Sequence, residues 1–336
     1  MKKTLLTICL VWMCFSLSAQ KIIDLSGKWS FSIDRQDNGE KEKWFSHTLN
    51  DFINLPGSMP EKLKGDEVTA KTQWTGSLYD SSYYYNPYME KYRKEGNIKF
   101  PFFLTPDKHY VGAAWYQKEV NIPADWKGER ILLFLERPHI ETTVWVNGQK
   151  TGMQNSLCVP HQYDITRYVR PGKCTITIRV DNRIKEINVG PDSHSITDQT
   201  QGNWNGIVGR ICLQTTPKTY FDDIQIYPEP EQKLARVKVV IKGTGTAKVK
   251  LSAESFNTDK KHIVPAIQQE IKLNKGVTET EMVLPMGNDM LLWDEFHPAL
   301  YKLKAEVTNG KKTEIKEIQF GMRRFEIKGK WFYVNG

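Results

Sequence analysis

The sequence predicts an all-β protein made of two sandwich domains, and three observations support this prediction. Short runs rich in β-branched and aromatic residues recur along the chain, turn signals such as Asn-Gly and Pro-Gly separate them, and helical periodicity is weak everywhere. A chain of 336 residues also has room for two such domains, since a typical domain contains about 100–200 residues.

Residues 1–19 have the layout of a secretory signal peptide. The segment begins with two lysines, continues with an apolar run at residues 4–15, and ends in small residues before a cleavage site after Ala19. The apolar run is shorter than the roughly 20 residues that span a bilayer, which argues against a membrane anchor. A lipoprotein cut before Cys14 is the other alternative, although bulky residues precede it. We expect an exported protein, periplasmic or extracellular, with no membrane span.

Residues 20–217 are predicted to form the first sandwich. Residues 130–135 have the composition of a buried strand, and residues 142–146 form another that an Asn-Gly turn closes. Residues 174–180 alternate apolar and polar side chains with period two, as in a half-buried strand. This spacing of short strands and turns is typical of a sandwich or a barrel.

Residues 74–116 stand apart within this first domain. They are dense in aromatic residues, with Tyr83, Tyr84, Tyr85 and Tyr88 close together, and they show little strand alternation. We interpret them as an aromatic insertion in the form of a long ordered loop, a feature that is often functional. The alternative is that these rings only hold the insertion against the sandwich.

Residues 218–322 are predicted to form the second sandwich, because Lys and Glu alternate there with Val and Ile. The predicted strands are residues 236–242, 247–252, 267–273, 280–284, 301–307 and 312–320. About seven strands in roughly a hundred residues is typical of an immunoglobulin-like sandwich. The Cys–Trp–Cys pattern of antibody domains does not occur in this stretch.

Charge and cysteine content argue against two classes of protein, those that bind nucleic acid and those that hold a metal through cysteines. The net charge is +8, but Lys and Arg are scattered among Asp and Glu, so we predict no nucleic-acid partner. Cys158, Cys174 and Cys212 follow the signal segment without metal-site spacing, and we interpret them as small buried hydrophobes with at most one disulfide. We predict no metal and no cofactor, and the oligomeric state stays open.

One polar connection, residues 187–209, carries the side chains best suited to hold a ligand. Its amides and carboxylates offer the fixed donors and acceptors that sugar hydroxyls match, and Trp204 offers an apolar face. The alternative is a polar surface loop whose side chains bond their own backbone. The sequence contains no nucleophile elbow, zinc helix or phosphate loop, so we assign no catalytic residue.

The chain ends on a signal for a tight hairpin turn. Asn335 and Gly336 suit a type I′ turn, which needs φ > 0 at both central positions. Residues 331–334 are then predicted to be the first strand of a hairpin whose second strand is missing. We therefore expect residues 323–336 to be the start of a truncated domain.

Several segments follow one another in an order that is typical of a known family. They are residues 24–31 (DLSGKWSF), 54–57 (NLPG), 114–120 (AWYQKEV), 135–152 (LERPHIETTVWVNGQKTG), 198–213 (DQTQGNWNGIVGRICL), 291–307 (LLWDEFHPALYKLKAEV) and 320–336 (FGMRRFEIKGKWFYVNG). Over nearly all of the mature chain, the sequence resembles glycoside hydrolase family 2, the family of β-galactosidases, β-glucuronidases and β-mannosidases.

The resemblance implies a jelly-roll sugar-binding domain at residues 20–217 and an immunoglobulin-like domain at residues 218–322. The reaction of the family is exo-acting hydrolysis of β-glycosides with retention, carried out by two glutamates of a barrel that follows the sandwich. The acid/base usually sits in an Asn-Glu dipeptide, which this sequence lacks. A barrel needs about 200 residues or more. We therefore expect the catalytic TIM barrel to be absent from this chain, and the chain alone to be inactive.

The resemblance also implies substrate-binding residues. In β-galactosidases of the family, an Asp-Gln stretch before a Trp lends a carboxylate to the sugar pocket, and this stretch matches Asp198 and Gln199. Asn203 and Trp204 follow in the same segment. An asparagine of an earlier loop reaches the same pocket, and Asn86 is the nearest match. The expected partner is the end of a β-glycoside chain.

Three functions are compatible with these observations. The first is the N-terminal portion of an exported, β-galactosidase-like family 2 glycosidase. The second is a free-standing exported carbohydrate-binding protein. The third is an extracellular adhesion or structural protein, which would fit the sandwiches but not the family segments.

Overall fold

The structure, a computed structural model, describes residues 21–69, 71–75, 85–99, 105–185, 198 and 202–336. The described chain divides into two compact units, residues 21–215 and 216–336. The signal segment predicted at residues 1–19 lies outside the described residues, as do residues 76–84 and 100–104 of the aromatic insertion. No helix in the described part is long and apolar enough to cross a membrane.

The first unit is built almost entirely from strands. They are β1 (Ile22–Asp24), β2 (Gly27–Asp34), β3 (Asp51–Leu55), β4 (Gly57–Ser58), β5 (Asp66–Glu67), β6 (Lys108–His109), β7 (Ala113–Ile122), β8 (Arg130–Pro138), β9 (Glu141–Val146), β10 (Gln149–Asn155), β11 (His161–Asp164), β12 (Gly172–Asp181) and β13 (Gly206–Thr216). Short 3₁₀ helices occupy Trp44–Ser46, Pro87–Tyr92, Ala124–Trp126 and Thr166–Tyr168.

Two sheets form the first sandwich. One has the strand order β10-β9-β12-β7-β2-β3, and the other has the order β1-β13-β8-β11 with β4 beside β13. Both sheets send apolar side chains into one core, which includes Trp29, Phe31, Leu133, Ile176 and Ile211. The strands predicted from alternation all occur, and the all-β, jelly-roll fold class is confirmed.

The six-stranded sheet also has a second, outward face that is covered by residues 35–50. Trp115 and Trp145 lie buried on this face, and Phe45 of the covering segment stacks on Trp145 with ring centroids 5.1 Å apart. Asp34 anchors the segment, because its carboxylate accepts hydrogen bonds from the Gly39 N–H and the Trp115 indole, both at 2.9 Å. This aromatic layer fixes the position of the covering segment.

The second unit is an immunoglobulin-like sandwich, as predicted. Its strands are β14 (Tyr220–Glu229), β15 (Leu234–Phe256), β16 (Ile263–Pro285), β17 (Leu300–Asn309), β18 (Lys312–Phe320), β19 (Phe325–Lys328) and β20 (Trp331–Val334), and a 3₁₀ turn occupies Pro230–Gln232. The sheet order is β14-β15-β17-β18, with β16 beside β15. Alternate residues of these strands fill one apolar core.

The two long strands of this sandwich, β15 and β16, bend so that each contributes to both layers. β15 pairs with β14 before Gly243 and with β17 from Lys248 onward, and its register shifts between Gly243 and Gly245. Gly245 has φ +83°, a left-handed conformation that glycine adopts without steric cost. The predicted strands 236–242 and 247–252 are therefore two halves of one bent strand.

The predicted role of the final turn is wrong. Residues 331–334 form the second strand of a complete hairpin, in which β20 pairs with β19. The turn lies between Lys328 and Trp331, whereas Asn335 follows the hairpin with φ +58°. The Asn335 N–H donates to the Arg324 carbonyl and its Oδ1 accepts from the Arg324 N–H, at 2.8 and 2.9 Å. Asn335 therefore closes the base of the hairpin with two hydrogen bonds to Arg324.

Candidate functional site

Three buried asparagines mark the place where the predicted polar connection joins the first sandwich. Asn182 follows the last residue of β12, and Asn203 and Asn205 precede β13. Asn182 Nδ2 donates to Asn203 Oδ1 and to the Tyr110 carbonyl, at 3.0 and 2.8 Å. Asn205 Nδ2 donates to the carbonyls of Gly112 and Val180, at 2.9 and 3.0 Å. These amides join β7, β12 and the start of β13.

Asp198 lies against this amide cluster with its side chain 2% exposed. Its Oδ2 accepts a hydrogen bond from the Thr75 N–H at 2.5 Å, and its Oδ1 accepts one from the Asn203 N–H at 2.6 Å. The Asp198 N–H donates to the Thr75 carbonyl at 3.1 Å. The carboxylate thus holds residues from two distant segments together.

Two buried histidine rings, those of His109 and His139, lie near Asp198 and the amide cluster. His109 Nε2 lies 3.5 Å from Asp198 Oδ2 and makes no hydrogen bond in the described part of the chain, and the ring packs beside Trp74. His139 stacks on Trp204 with ring centroids 4.5 Å apart, and its Nε2 likewise has no hydrogen-bond partner there. Unpaired buried nitrogens are uncommon in proteins and distinguish this cluster from an ordinary polar surface loop.

Burial lowers the pKa of His139 to about 4, although the neighbouring Asn203 side chain and the Asp198 charge act in the opposite direction. The imidazole is therefore neutral near neutral pH. A neutral imidazole stacked on a partly exposed indole offers an apolar surface with a hydrogen-bonding edge.

The structure brings three of the predicted substrate-binding residues together. Asp198 and Asn203 are bonded to each other, and Trp204 follows them. Both polar atoms of the Asn203 side-chain amide are used within the protein. Its Oδ1 accepts from Asn182, and its Nδ2 donates to Thr75 Oγ1 and to the Asn182 carbonyl. Contact of these residues with a sugar stays a prediction.

The other two predicted residues are not placed in this cluster. Gln199 lies outside the described residues. Asn86 caps the 3₁₀ helix Pro87–Tyr92, because its side-chain oxygen accepts from the Tyr88 N–H at 3.0 Å. No contact between Asn86 and Asp198 occurs in the described part of the chain, so the structure does not join the two.

A cleft of about 490 Å³ opens beside His109. Seven of the fifteen residues that line it are charged, among them Asp34, Arg35, Asp37 and Arg183. A cleft of this size can hold a drug-sized ligand, and its mixed charges favour a polar one. The described residues contain no group of His, Cys, Asp and Glu side chains that could hold a metal ion.

An ion-pair network supports one wall of this cleft. Its members are three carboxylates and three cations, Asp37, Glu141, Asp181, Arg179, Arg183 and Lys185. Asp181 is fully buried, and Oδ2 of its carboxylate lies 3.0 Å from Arg179, 2.6 Å from Arg183 and 2.8 Å from Lys185. Burial alone would raise the pKa of Asp181, but the hydrogen bonds from Arg183 and Lys185 hold it well below its usual range.

We expect this network to make the protein sensitive to acid. A depressed carboxyl pKa contributes stability above the unfolded value, here 3.8, and that contribution is lost as the pH falls through the folded pKa. The urea midpoint of the wild type should change little between about pH 7 and pH 5. It should decrease once the pH is lower than about 4. Asp181→Asn should be less stable at neutral pH, and its difference from the wild type should shrink in acid.

The matched control for this experiment is Asp107→Asn, which alters an exposed carboxylate. Its urea midpoint should follow that of the wild type at every pH. A difference between Asp181→Asn and the wild type that stays constant from neutral pH to about pH 3 would show that the Asp181 charge does not contribute.

Cys158, Cys174 and Cys212, the cysteines of the described residues, carry free thiols. Cys174 and Cys212 are buried, and burial raises the pKa of the Cys174 thiol to about 11. The interpretation as small hydrophobes fits these two residues, but Cys158 is exposed.

Two β-sandwich domains, the first with a buried cluster of amides, a carboxylate and aromatic rings, define a modular all-β protein. The chain belongs to family 2 of the glycosyl hydrolases. The sugar-binding domain of that family matches residues 22–217, and a second domain model of the family matches residues 219–323. The resemblance to this family is confirmed.

The relatives are β-glucuronidases and β-galactosidases. The chain is 24% identical to a β-glucuronidase of Paenibacillus borealis, over 94% of this chain and 48% of the relative. It is also 24% identical to the β-galactosidase large subunit of Latilactobacillus sakei, over 93% of this chain and 48% of the relative. The chain therefore spans about half the length of these relatives and resembles their N-terminal part.

A solved β-glucuronidase from an uncultured Clostridium species shares the fold. It superposes with a TM-score of 0.61 at 21% identity, over 95% of this chain and 47% of that one. The described residues form the two sandwiches, and no catalytic barrel is part of them.

Proposed function

We propose that this chain is the N-terminal, non-catalytic portion of an exported β-glycosidase of family 2, a retaining exo-acting enzyme of the β-galactosidase and β-glucuronidase kind. The observation that carries the proposal is the match of two family domains to residues 22–323 in a chain that spans about half of its relatives. The first sandwich would bind the end of a β-glycoside chain, and a separate barrel would supply the two catalytic glutamates.

The cluster around Asp198 supports the sugar-binding part of this proposal. The first sandwich brings together a carboxylate held by main-chain donors, a partly exposed indole and two imidazole nitrogens that have no hydrogen-bond partner among the described residues. Hydroxyl groups of a sugar can both donate to and accept from such groups. Retaining hydrolysis needs two carboxyl groups about 5 Å apart across the bond, and no such pair is assigned in this chain.

We expect the purified chain to show no hydrolysis of nitrophenyl β-galactoside or nitrophenyl β-glucuronide. The assay should include a complete family 2 enzyme as a positive control and the same preparation after a further purification step. Turnover that copurifies with the chain would contradict the proposal that catalysis resides in another domain.

Export is the second part of the proposal, and the layout of residues 1–19 supports it. Mass spectrometry of the chain recovered from the periplasm or the medium should find a mature N-terminus at Gln20. Recovery of the uncut chain from the cytoplasm alone would contradict export.

A further inference from the structure

The outer face of the six-stranded sheet carries a second cleft, of about 320 Å³. It lies between the segment that covers this face, the turn after β9, and strands β7 and β12. The side chains that line it are those of Phe45, Ser46, His47, Thr48, Gln117, Asn147 and Thr175. Lys, Arg, Asp and Glu are absent from this lining.

Ring stacking and hydrogen bonds position Phe45 and Asn147 in the walls of this cleft. The Phe45 ring lies parallel to the Trp145 indole, which in turn stacks on Trp115 at 4.9 Å. Asn147 and Gly148 form a left-handed turn, and Asn147 Nδ2 donates to the Tyr168 carbonyl at 3.1 Å while its Oδ1 accepts from the Thr175 N–H at 3.0 Å. A ligand would enter a preformed site, which lowers the entropic cost of binding.

Several polar groups in the cleft have no partner within the described part of the chain. The hydroxyls of Ser46, Thr48 and Thr175 make no hydrogen bond there. Gln117 Nε2 donates to the His47 carbonyl and to Thr177 Oγ1, both at 3.1 Å, which fixes the amide and leaves its Oε1 without a donor. Three hydroxyls and one fixed carbonyl oxygen are thus available around a partly exposed aromatic ring.

We propose that this cleft binds a neutral saccharide of one or two sugar units. Sugar hydroxyls both donate and accept, so they can satisfy the free hydroxyls and the Gln117 oxygen together. The Phe45 ring supplies an apolar surface for the C–H face of a pyranose. The absence of Lys, Arg, Asp and Glu among the residues that line this cleft disfavours an ionic ligand, in contrast to the charged cleft beside His109.

The test uses saturation-transfer NMR on the whole chain, with lactose, cellobiose and xylobiose as neutral probes and glucuronate as a charged probe. We expect at least one neutral disaccharide to bind more tightly than glucuronate. Thr175→Val should weaken that binding about fivefold, the effect of one lost hydrogen bond, and Phe45→Ala should weaken it further. Thr280→Val, a strand hydroxyl of similar exposure in the second sandwich, should leave it unchanged.

Three results would overturn the proposal. They are the failure of all neutral probes to bind, a preference for glucuronate, and equal binding by Thr175→Val, Phe45→Ala and the wild type. Binding that survives both cleft variants but is lost in Asp198→Asn would place the sugar at the other cluster. That outcome refutes the second site while supporting the proposed function, so the two proposals can fail separately.

Discussion

Replacing Arg179 with methionine is expected to lower the free energy of unfolding of the first sandwich by about 3–5 kcal/mol, the typical cost of removing one partner from a buried ion pair. The Arg179 side chain is 8% exposed and contacts Asp37, Glu141 and Asp181. Methionine keeps most of the apolar stem, so the loss reflects the missing charge rather than a large cavity. Asp181 is fully buried and would be left with fewer counter-charges.

Urea unfolding followed by tryptophan fluorescence measures this effect, because most of the tryptophans lie in the first sandwich. Arg137→Met is the matched control, since the Arg137 side chain is 65% exposed and its change should stay within about 0.5 kcal/mol. A loss below about 1 kcal/mol in Arg179→Met would show that solvent or rearranged lysines compensate the buried carboxylates.

The fold was largely predictable because its strands obey simple alternation. Residues 174–180 place Cys174, Ile176 and Ile178 in the core and Thr175 and Thr177 on the outer face, as period two requires. The turn after residue 146 also follows from local chemistry, since Asn147 and Gly148 both take positive φ. Each of these features depends on a few neighbouring residues.

Features that depend on distant residues were not predictable. The bend of β15 at Gly243 and Gly245 arises where the strand exchanges one set of partners for another, which short periodic runs do not reveal. The Asn-Gly dipeptide predicts the final turn at residues 335 and 336, whereas the hairpin turns between Lys328 and Trp331 and pairs β20 with the preceding β19. Asn335 has the positive φ that the signal predicts but uses it after the hairpin.

In the candidate site, too, features set by neighbouring residues were predictable, and contacts between distant residues were not. The polar segment around Asp198 could be found from composition, but its neighbours come from elsewhere in the chain. His109 and His139 precede it by 89 and 59 residues, and Arg179 meets Asp37 across 142 residues. A lone histidine in a sequence gives no sign that its ring will be buried beside a carboxylate. Only the folded structure shows that His109 Nε2 and His139 Nε2 have no hydrogen-bond partner among the described residues.

Asp198→Ala is expected to destabilise the first sandwich by about 2–5 kcal/mol, because one buried and one partly buried N–H donor lose their acceptor. These donors are the main-chain amides of Thr75 and Asn203. Asp198→Asn should cost less, since its oxygen can still accept from one of them, although the bond loses its charge. Urea midpoints of both variants, with Asp107→Asn as the exposed control, measure the two effects. An Asp198→Ala midpoint equal to that of the control would contradict the anchoring role.

Binding of methyl β-galactoside separates this anchoring role from contact with a sugar. The measurement uses Asp198→Asn under conditions in which its fluorescence shows the first sandwich fully folded. If the carboxylate contacts the sugar, the folded variant should bind about tenfold more weakly than the wild type, since a hydrogen bond to a charged group contributes about 1.5–3 kcal/mol. If the carboxylate only joins Thr75 to Asn203, binding should decline only as the cluster itself unfolds. A folded variant with unchanged affinity would show that the Asp198 charge makes no contact with the bound sugar.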